Sequence, residues 1–258
     1  MRGGKAKRSS TAAGSQGSLD RGKSTGNALI GGSSVHASLA NEIGLRIVRG
    51  DYPPGTILPN EAKWSETFNV SRSAVREAIK MLMAKSLLAS RPKIGSWVEP
   101  RERWNLLDRD VLGWYAMAPD REAFLRTVQE FRHIIEPEAT ALAAVRRTDE
   151  QMEEISAACR EMGEATSLSS RTQADTRFHL AILRASGNDL LVPLGVLIES
   201  ALNNLFVFVT RELNDVQSAQ ILHEAIEKAI RLRRPDAARR AVRKLLANTD
   251  EVIIGNRR

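Results

Sequence analysis

Apolar residues recur at helical spacing along most of the chain and alternate at strand spacing almost nowhere. Leu39, Ile43 and Ile47 step by four, with Ala40 and Leu45 nearby, which predicts an amphipathic helix from Val35 to Arg49 that Gly50 ends. Asp51-Tyr52-Pro53-Pro54-Gly55 is turn chemistry, and Leu58-Pro59 leads to Asn60, an N-cap residue for a short helix to about Phe68. After Asn69-Val70, Ser71 caps a further helix. Its inner side holds Ala74, Val75, Ala78, Ile79, Leu82 and Met83; Arg72, Ser73, Arg76 and Lys80 are left outside. Ala89 to Val98 is expected as a β-hairpin whose tip carries Arg91, Lys93 and Gly95.

Beyond residue 101 only the helical period persists. Phe124, Val128, Phe131, Ile135, Ala139 and Leu142 step by three or four, predicting one long helix over 121–146 with a kink at Pro137. Further helices are expected near 149–165, 171–186, 189–210, 216–233 and 236–253, with breaks at Gly187-Asn188, around Asn214 and at Arg234-Pro235-Asp236. The short connections imply an all-α bundle of antiparallel neighbours.

Composition narrows the function. The 258 residues contain one cysteine, Cys159, which excludes a disulfide scaffold. The longest apolar run, Leu190 to Ile198, is too short for a bilayer and holds Pro193 and Gly195, and the N-terminus lacks a signal-peptide core, so a cytoplasmic protein without a membrane partner is expected. The net charge of +7 and pI of about 9.9 favour an anionic partner. That charge is unevenly spread: residues 1–34 carry +5, residues 35–100 carry +3, and the remaining 158 residues carry −1. The first stretch is rich in Gly and Ser and has no aromatic residue, so it is expected to be a disordered basic tail. A small basic module joined to a near-neutral domain is what remains.

Two helices joined by a tight turn, the second basic at its start, suit a major groove of about 12 Å width. Arg72 and Arg76 lie four apart on one face, and either guanidinium can span guanine O6 and N7. The motifs Gly50-Asp51-Tyr52-Pro53-Pro54-Gly55, Leu58-Pro59-Asn60-Glu61, Val70-Ser71-Arg72-Ser73-Ala74-Val75-Arg76-Glu77-Ala78 and Gly95-Ser96-Trp97-Val98 resemble the winged helix-turn-helix of GntR-type bacterial transcription regulators. The resemblance implies that Ser71, Arg72, Ser73 and Arg76 work at the operator, that Gly95 enters the minor groove at the wing tip beside Lys93, and that Lys63 contacts at most a phosphate. Many members carry Arg after the matching Glu, whereas this chain has Ala62.

Among the polar residues of the bundle, Asp175 and His179 lie four apart on one helix face and His223 sits in a later helix. Converging carboxylate and imidazoles suit a divalent metal, although spacing alone favours hydrogen-bonded histidines without one, because an Asp-x-x-x-His pair is common by chance. The whole C-terminal part resembles the FCD ligand-binding domain of the FadR subfamily. That resemblance implies an effector-side arginine at Arg132 in Phe131-Arg132-His133-Ile134-Ile135-Glu136-Pro137, and metal ligands at Asp175, His179 and His223, with zinc the expected ion. The family's fourth ligand, a His in the last helix, is replaced near Leu245, which leaves open whether metal or effector alone is held; Asn248 can offer a polar contact. Trp104 through Trp114 is similar to the corresponding stretch of D-galactonate operon repressors, which also lack that histidine, and this implies a sugar-acid effector such as an aldonate. Trp104 and Trp114 are expected to pack between the domains, and Cys159 and His133 to be packing or surface residues.

The expected fold class is therefore mainly α: a tail at 1–34, a winged helix-turn-helix with a small β-hairpin wing at 35–101, a linker at 102–120 and an all-α FCD-type bundle at 121–254. The expected function is a ligand-responsive transcription regulator, a repressor acting as a homodimer on a pseudo-palindromic DNA operator and released by a small carboxylate. The alternative is a metal-dependent helical enzyme with an accessory DNA-binding module, for which the sequence offers no separate nucleophile or base.

Overall fold

Local signals place the first helices. In a computed structural model that describes residues 34–209 and 214–255, α1 spans Val35–Arg49, α2 Glu61–Phe68 and α3 Arg72–Ala84. Gly50 ends α1 at φ +90°, and its N–H reaches the Ile47 carbonyl at 3.0 Å. The Asn60 side chain accepts from the Lys63 N–H at 2.9 Å at the start of α2, and Ser71 Oγ accepts from the Ala74 N–H at 3.1 Å at the start of α3. Strands β1 (Leu88–Arg91) and β2 (Gly95–Val98) form the antiparallel wing, with Leu88 opposite Val98 and Arg91 opposite Gly95. Ile43, Ile47, Trp64, Val75, Leu82, Leu87 and Val98 are buried at the centre of this head.

The segment expected as a linker holds a helix, α4 (Arg109–Met117). Asp108 caps it by accepting from the Asp110 and Val111 N–H groups, and Lys85 Nζ binds Asp108 and Asp110, both at 2.8 Å. Trp104, Val111 and Trp114 join the apolar core of the head rather than filling a gap between domains. Trp114 lies so close to α1 that a Cβ on Gly44 would stand 2.4 Å from its ring, so glycine is what lets the two helices meet. On its other side α4 leans on the bundle: Tyr115 stacks on Phe124 with centroids 5.1 Å apart, and Arg109 pairs with Glu199 at 2.7 Å.

The bundle comprises α5 (Arg121–Arg146), α6 (Asp149–Glu164), α7 (Leu168–Ala185), α8 (Gly195–Val209), α9 (Asn214–Arg231) and α10 (Pro235–Gly255). Capping boxes at Thr148/Gln151 and Ser167/Ser170 start α6 and α7, and α5 stays helical through Pro137. α8 begins six residues later than the expected start at 189, because Asn188 turns the chain by accepting from the Leu190 N–H. α6 lies along α7, and α10 along α5 and α9, around Ile155, Met162, Phe178, Ile226, Ile230, Val242 and Leu246. No helix among the described residues is long and apolar enough to cross a membrane. The expected tail lies, apart from Ser34, outside the described residues.

Candidate functional site

Two regions gather the residues singled out by sequence. On the head, Lys63, Ser71, Arg72, Ser73 and Arg76 are all exposed, as are Lys93 and Gly95 at the wing tip. Lys93 and Gly95 take positive φ, +67° and +96°, in the turn that joins β1 to β2. Arg76 does not stand alone: its Nε–H donates to Glu61 Oε1 at 3.0 Å and Nη2 donates to Oε2 at 2.7 Å, joining α3 to the first residue of α2. The hydrogen bond from Arg76 holds the Glu61 carboxyl below the ordinary carboxylate range. Arg72 makes no hydrogen bond or ion pair with the described residues.

Inside the bundle, α7 supplies Asp175 and His179, α9 supplies His223, and α5 supplies Arg132 and Glu136, all buried. Asp175 Oδ1 lies 3.2 Å from His179 Nε2 and 3.1 Å from His223 Nε2, while Glu136 Oε2 lies 3.0 Å from His179 Nδ1. Phe178 packs edge-on against both imidazoles, with centroids 5.6 and 5.4 Å away, and closes the apolar side. His223 Nδ1 sits 2.7 Å from the Ala219 carbonyl and donates to it, which turns Nε2 toward Asp175.

Glu136 Oε2, Asp175 Oδ1, His179 Nε2 and His223 Nε2 are each fully buried without a well-directed hydrogen bond, although they stand at contact distance. One ligand atom from each of Asp175, His179 and His223 falls within 4.8 Å of the other two, so the three form a set able to hold a metal ion.

Charge inside the cluster is balanced locally. Burial by itself would raise the Glu136 carboxyl, but the Arg132 guanidinium and His179 outweigh it and hold Glu136 at about 2. Burial would likewise depress His179, but the Glu136 and Asp175 charges prevail and lift it to about 9. Asp175, buried between the two imidazoles, is held well below the usual carboxylate range. Arg132, only 1% exposed, donates from Nε to Glu136 Oε1 at 2.5 Å and from Nη1 to Gln129 Oε1 at 3.3 Å, and Gln129 in turn donates to the Leu246 carbonyl on α10.

Glu136 is the residue of this candidate site that sequence reasoning passed over. Its signal was the Arg132/Glu136 spacing of four, the same spacing that drew attention to Asp175/His179. Leu245, near the place of the missing ligand, belongs to the apolar core with Phe178 and Ile226. Asn248 is half-buried and makes no side-chain hydrogen bond to the described residues, so nothing ties it to the cluster. His133 pairs with Asp250 at 2.8 Å, and burial pushes the Cys159 thiol up to about 11, consistent with packing roles for both.

Comparison with known proteins bears on both regions. Residues 36–98 match the family model of bacterial regulatory proteins of the gntR family, and residues 127–248 match that of the FCD domain. An HTH-type transcriptional regulator of Escherichia coli, YieP, is 36% identical over 83% of this chain and 93% of its own length. The chain belongs to the GntR family. The galactonate operon transcriptional repressor of Escherichia coli is another relative of the regulator, 34% identical over 80% of this chain and 91% of its own. The structure of Lar, which controls expression of the Listeria monocytogenes agr system, superposes with a TM-score of 0.61 over 88% of this chain and 99% of its own; at 18% identity it supports the fold alone. GntR-family members bind DNA operators, so the protein is a DNA-binding transcription regulator with a ligand-sensing FCD domain and not an enzyme. The metal-dependent enzyme considered from sequence is thereby set aside.

Proposed function

We propose that this GntR-family regulator represses its target genes as a homodimer on a pseudo-palindromic operator and lets go when a sugar acid, an aldonate such as galactonate, enters the Arg132, Asp175, His179, His223 cluster. The observation that carries the effector half is the set of buried polar atoms on Glu136, Asp175, His179 and His223 that face one another without well-directed hydrogen bonds. A polyhydroxy acid supplies hydroxyls that donate to these carboxylates, and its own carboxylate adds to Glu136 as a partner of the Arg132 guanidinium. The kinship with a galactonate operon repressor supports the same chemical class.

A divalent metal, zinc first, fits these residues. Asp175 Oδ1, His179 Nε2 and His223 Nε2 would hold it, and it would supply positive charge and open coordination positions for water or effector oxygens.

On the head, Arg72 and Arg76 read base edges, Ser71, Ser73, Lys63 and Lys93 meet the backbone, and Gly95 lets the wing tip approach the minor groove. One head spans only a few base pairs, so a second symmetric copy is needed for operator-level specificity. Effector binding shifts the heads only if the effector binds the DNA-competent and DNA-incompetent states with different affinity. The test is a thermal-shift screen of aldonates and uronates with and without zinc, followed by operator release with the hit. An effector at about 100 times its Kd raises stability by about 2.7 kcal/mol. The assignment fails if His179→Ala still releases DNA at the wild-type effector concentration.

A further inference from the structure

Every base-reading role given to α3 rests on a long flexible cation, and one of the two arginines on its outer face is held. Glu61 grips Arg76 through Nε and Nη2, the side-on edge of the guanidinium. That leaves the end-on edge, one N–H each on Nη1 and Nη2, with no partner among the described residues. Two parallel donors on this edge match guanine O6 and N7. Glu61 is itself well placed to act as a fixed point. It is the first residue of α2, where a carboxylate is favoured by the helix N-terminus, and α2 is anchored by the buried Trp64. Arg76 remains 59% exposed in its side chain, so the pair sits at the surface that meets DNA. Ala62 follows Glu61, so the start of α2 offers this surface a carboxylate and no guanidinium. Arg72, one turn earlier on α3, has no such brace.

We propose that Glu61 is a positioning residue for operator recognition: it pre-sets the Arg76 guanidinium so that its end-on edge reads a guanine, and it thereby fixes one base position of the half-site. This rests on the reading that α3 enters the major groove. Holding the guanidinium beforehand spares the rotamer freedom that a long side chain otherwise loses on contact. The carboxylate also opposes phosphate, so its presence weakens DNA binding in general while sharpening the choice of base.

The experiment is selection from a random double-stranded DNA pool by the full chain, comparing wild type, Glu61→Ala, Glu61→Gln, Arg76→Ala and the Glu61→Ala/Arg76→Ala double variant, with melting curves recorded for each. The wild type is expected to enrich a motif with a guanine that Arg76→Ala loses. Glu61→Ala should lose preference at that same guanine, by on the order of tenfold, keep the rest of the motif, and bind unselected DNA at least as tightly as wild type. The double variant should be no worse than Arg76→Ala alone. If Glu61→Ala melts below the assay temperature, Glu61→Gln is read in the same way, since it removes the charge and keeps the shape. A Glu61 variant that selects the wild-type motif with undiminished guanine preference overturns the proposal, even if its overall affinity rises, because Glu61 would then be a mere counter-ion. Failure of the wild type to enrich any motif refutes instead the reading of α3 on which the proposal rests.

Discussion

Arg132 and Glu136 form an ion pair from which both partners have lost their water, and that shapes any test of the pocket. Removing one partner strands the other as an uncompensated buried charge, at a cost of about 3–5 kcal/mol. Arg132→Ala is therefore expected to lower the melting temperature before it says anything about effector binding. The Arg132→Met/Glu136→Gln double variant should recover much of the loss, as a melting comparison of the three proteins will show. His179 and Glu136 also give the metal-free protein a pH signature. Glu136, lowered from 4.5 to about 2, contributes stability that is complete above 4.5 and lost as pH falls through about 2. His179, raised from 6.5 to about 9, contributes stability that is complete below 6.5 and lost as pH rises through about 9. The metal-free protein should thus lose stability between pH 6.5 and 9. A metal must displace the His179 proton, so the zinc-induced rise in melting temperature should grow over the same interval. A zinc shift independent of pH would show that His179 is not a ligand.

Gly44 and Trp114 give a test at the level of elements. An alanine inside a helix ordinarily gains about 0.8–1.0 kcal/mol over glycine. At Gly44 the added methyl would meet the Trp114 ring at 2.4 Å, and overpacking of this kind costs about 1–3 kcal/mol. Gly44→Ala is expected to destabilise, and Gly44→Ala/Trp114→Leu to regain part of the loss in denaturant unfolding. The same pair shows what the sequence could and could not disclose. α1, α2, α3 and the wing were legible because Gly50, Asn60 and Ser71 punctuate them and because their apolar spacing is regular. α4 was not, since its nine residues contain Gly113 and its apolar positions answer to a surface made by distant residues. α8 was misplaced at its start because the apolar run from Leu190 hides a turn that Asn188 makes with its side chain. In the site, Asp175 and His179 stood out because such residues are rare on an apolar helix face. Glu136 did not, because an Arg and a Glu four apart resemble the ordinary ion pair of an exposed helix, and only the packing of α7 and α10 against α5 buries it.

Over the whole molecule, charge and chemistry are segregated. The head carries the cations expected to meet DNA, and the bundle, nearly neutral in total, gathers both of its buried carboxylates among the described residues, Glu136 and Asp175, in one cluster with Arg132, His179 and His223. α4 links the two: its Trp114 side is built into the head and its Tyr115 and Arg109 touch α5 and α8. For repression as a homodimer, the intact chain should sediment as a dimer with and without effector, and effector should change the reach between heads rather than the number of chains. The seating of Trp104 and Trp114 has a practical corollary for anyone exchanging heads between sensors to rewire a genetic circuit. A splice at residue 101 follows the boundary that sequence suggests, yet it would graft a head deprived of two of its own core tryptophans onto a foreign strut. A splice after Ala118 carries those side chains with the head they fill. Chimaeras cut at the later point should fold and bind DNA where those cut at the earlier one aggregate, so the useful unit of exchange is the head together with α4.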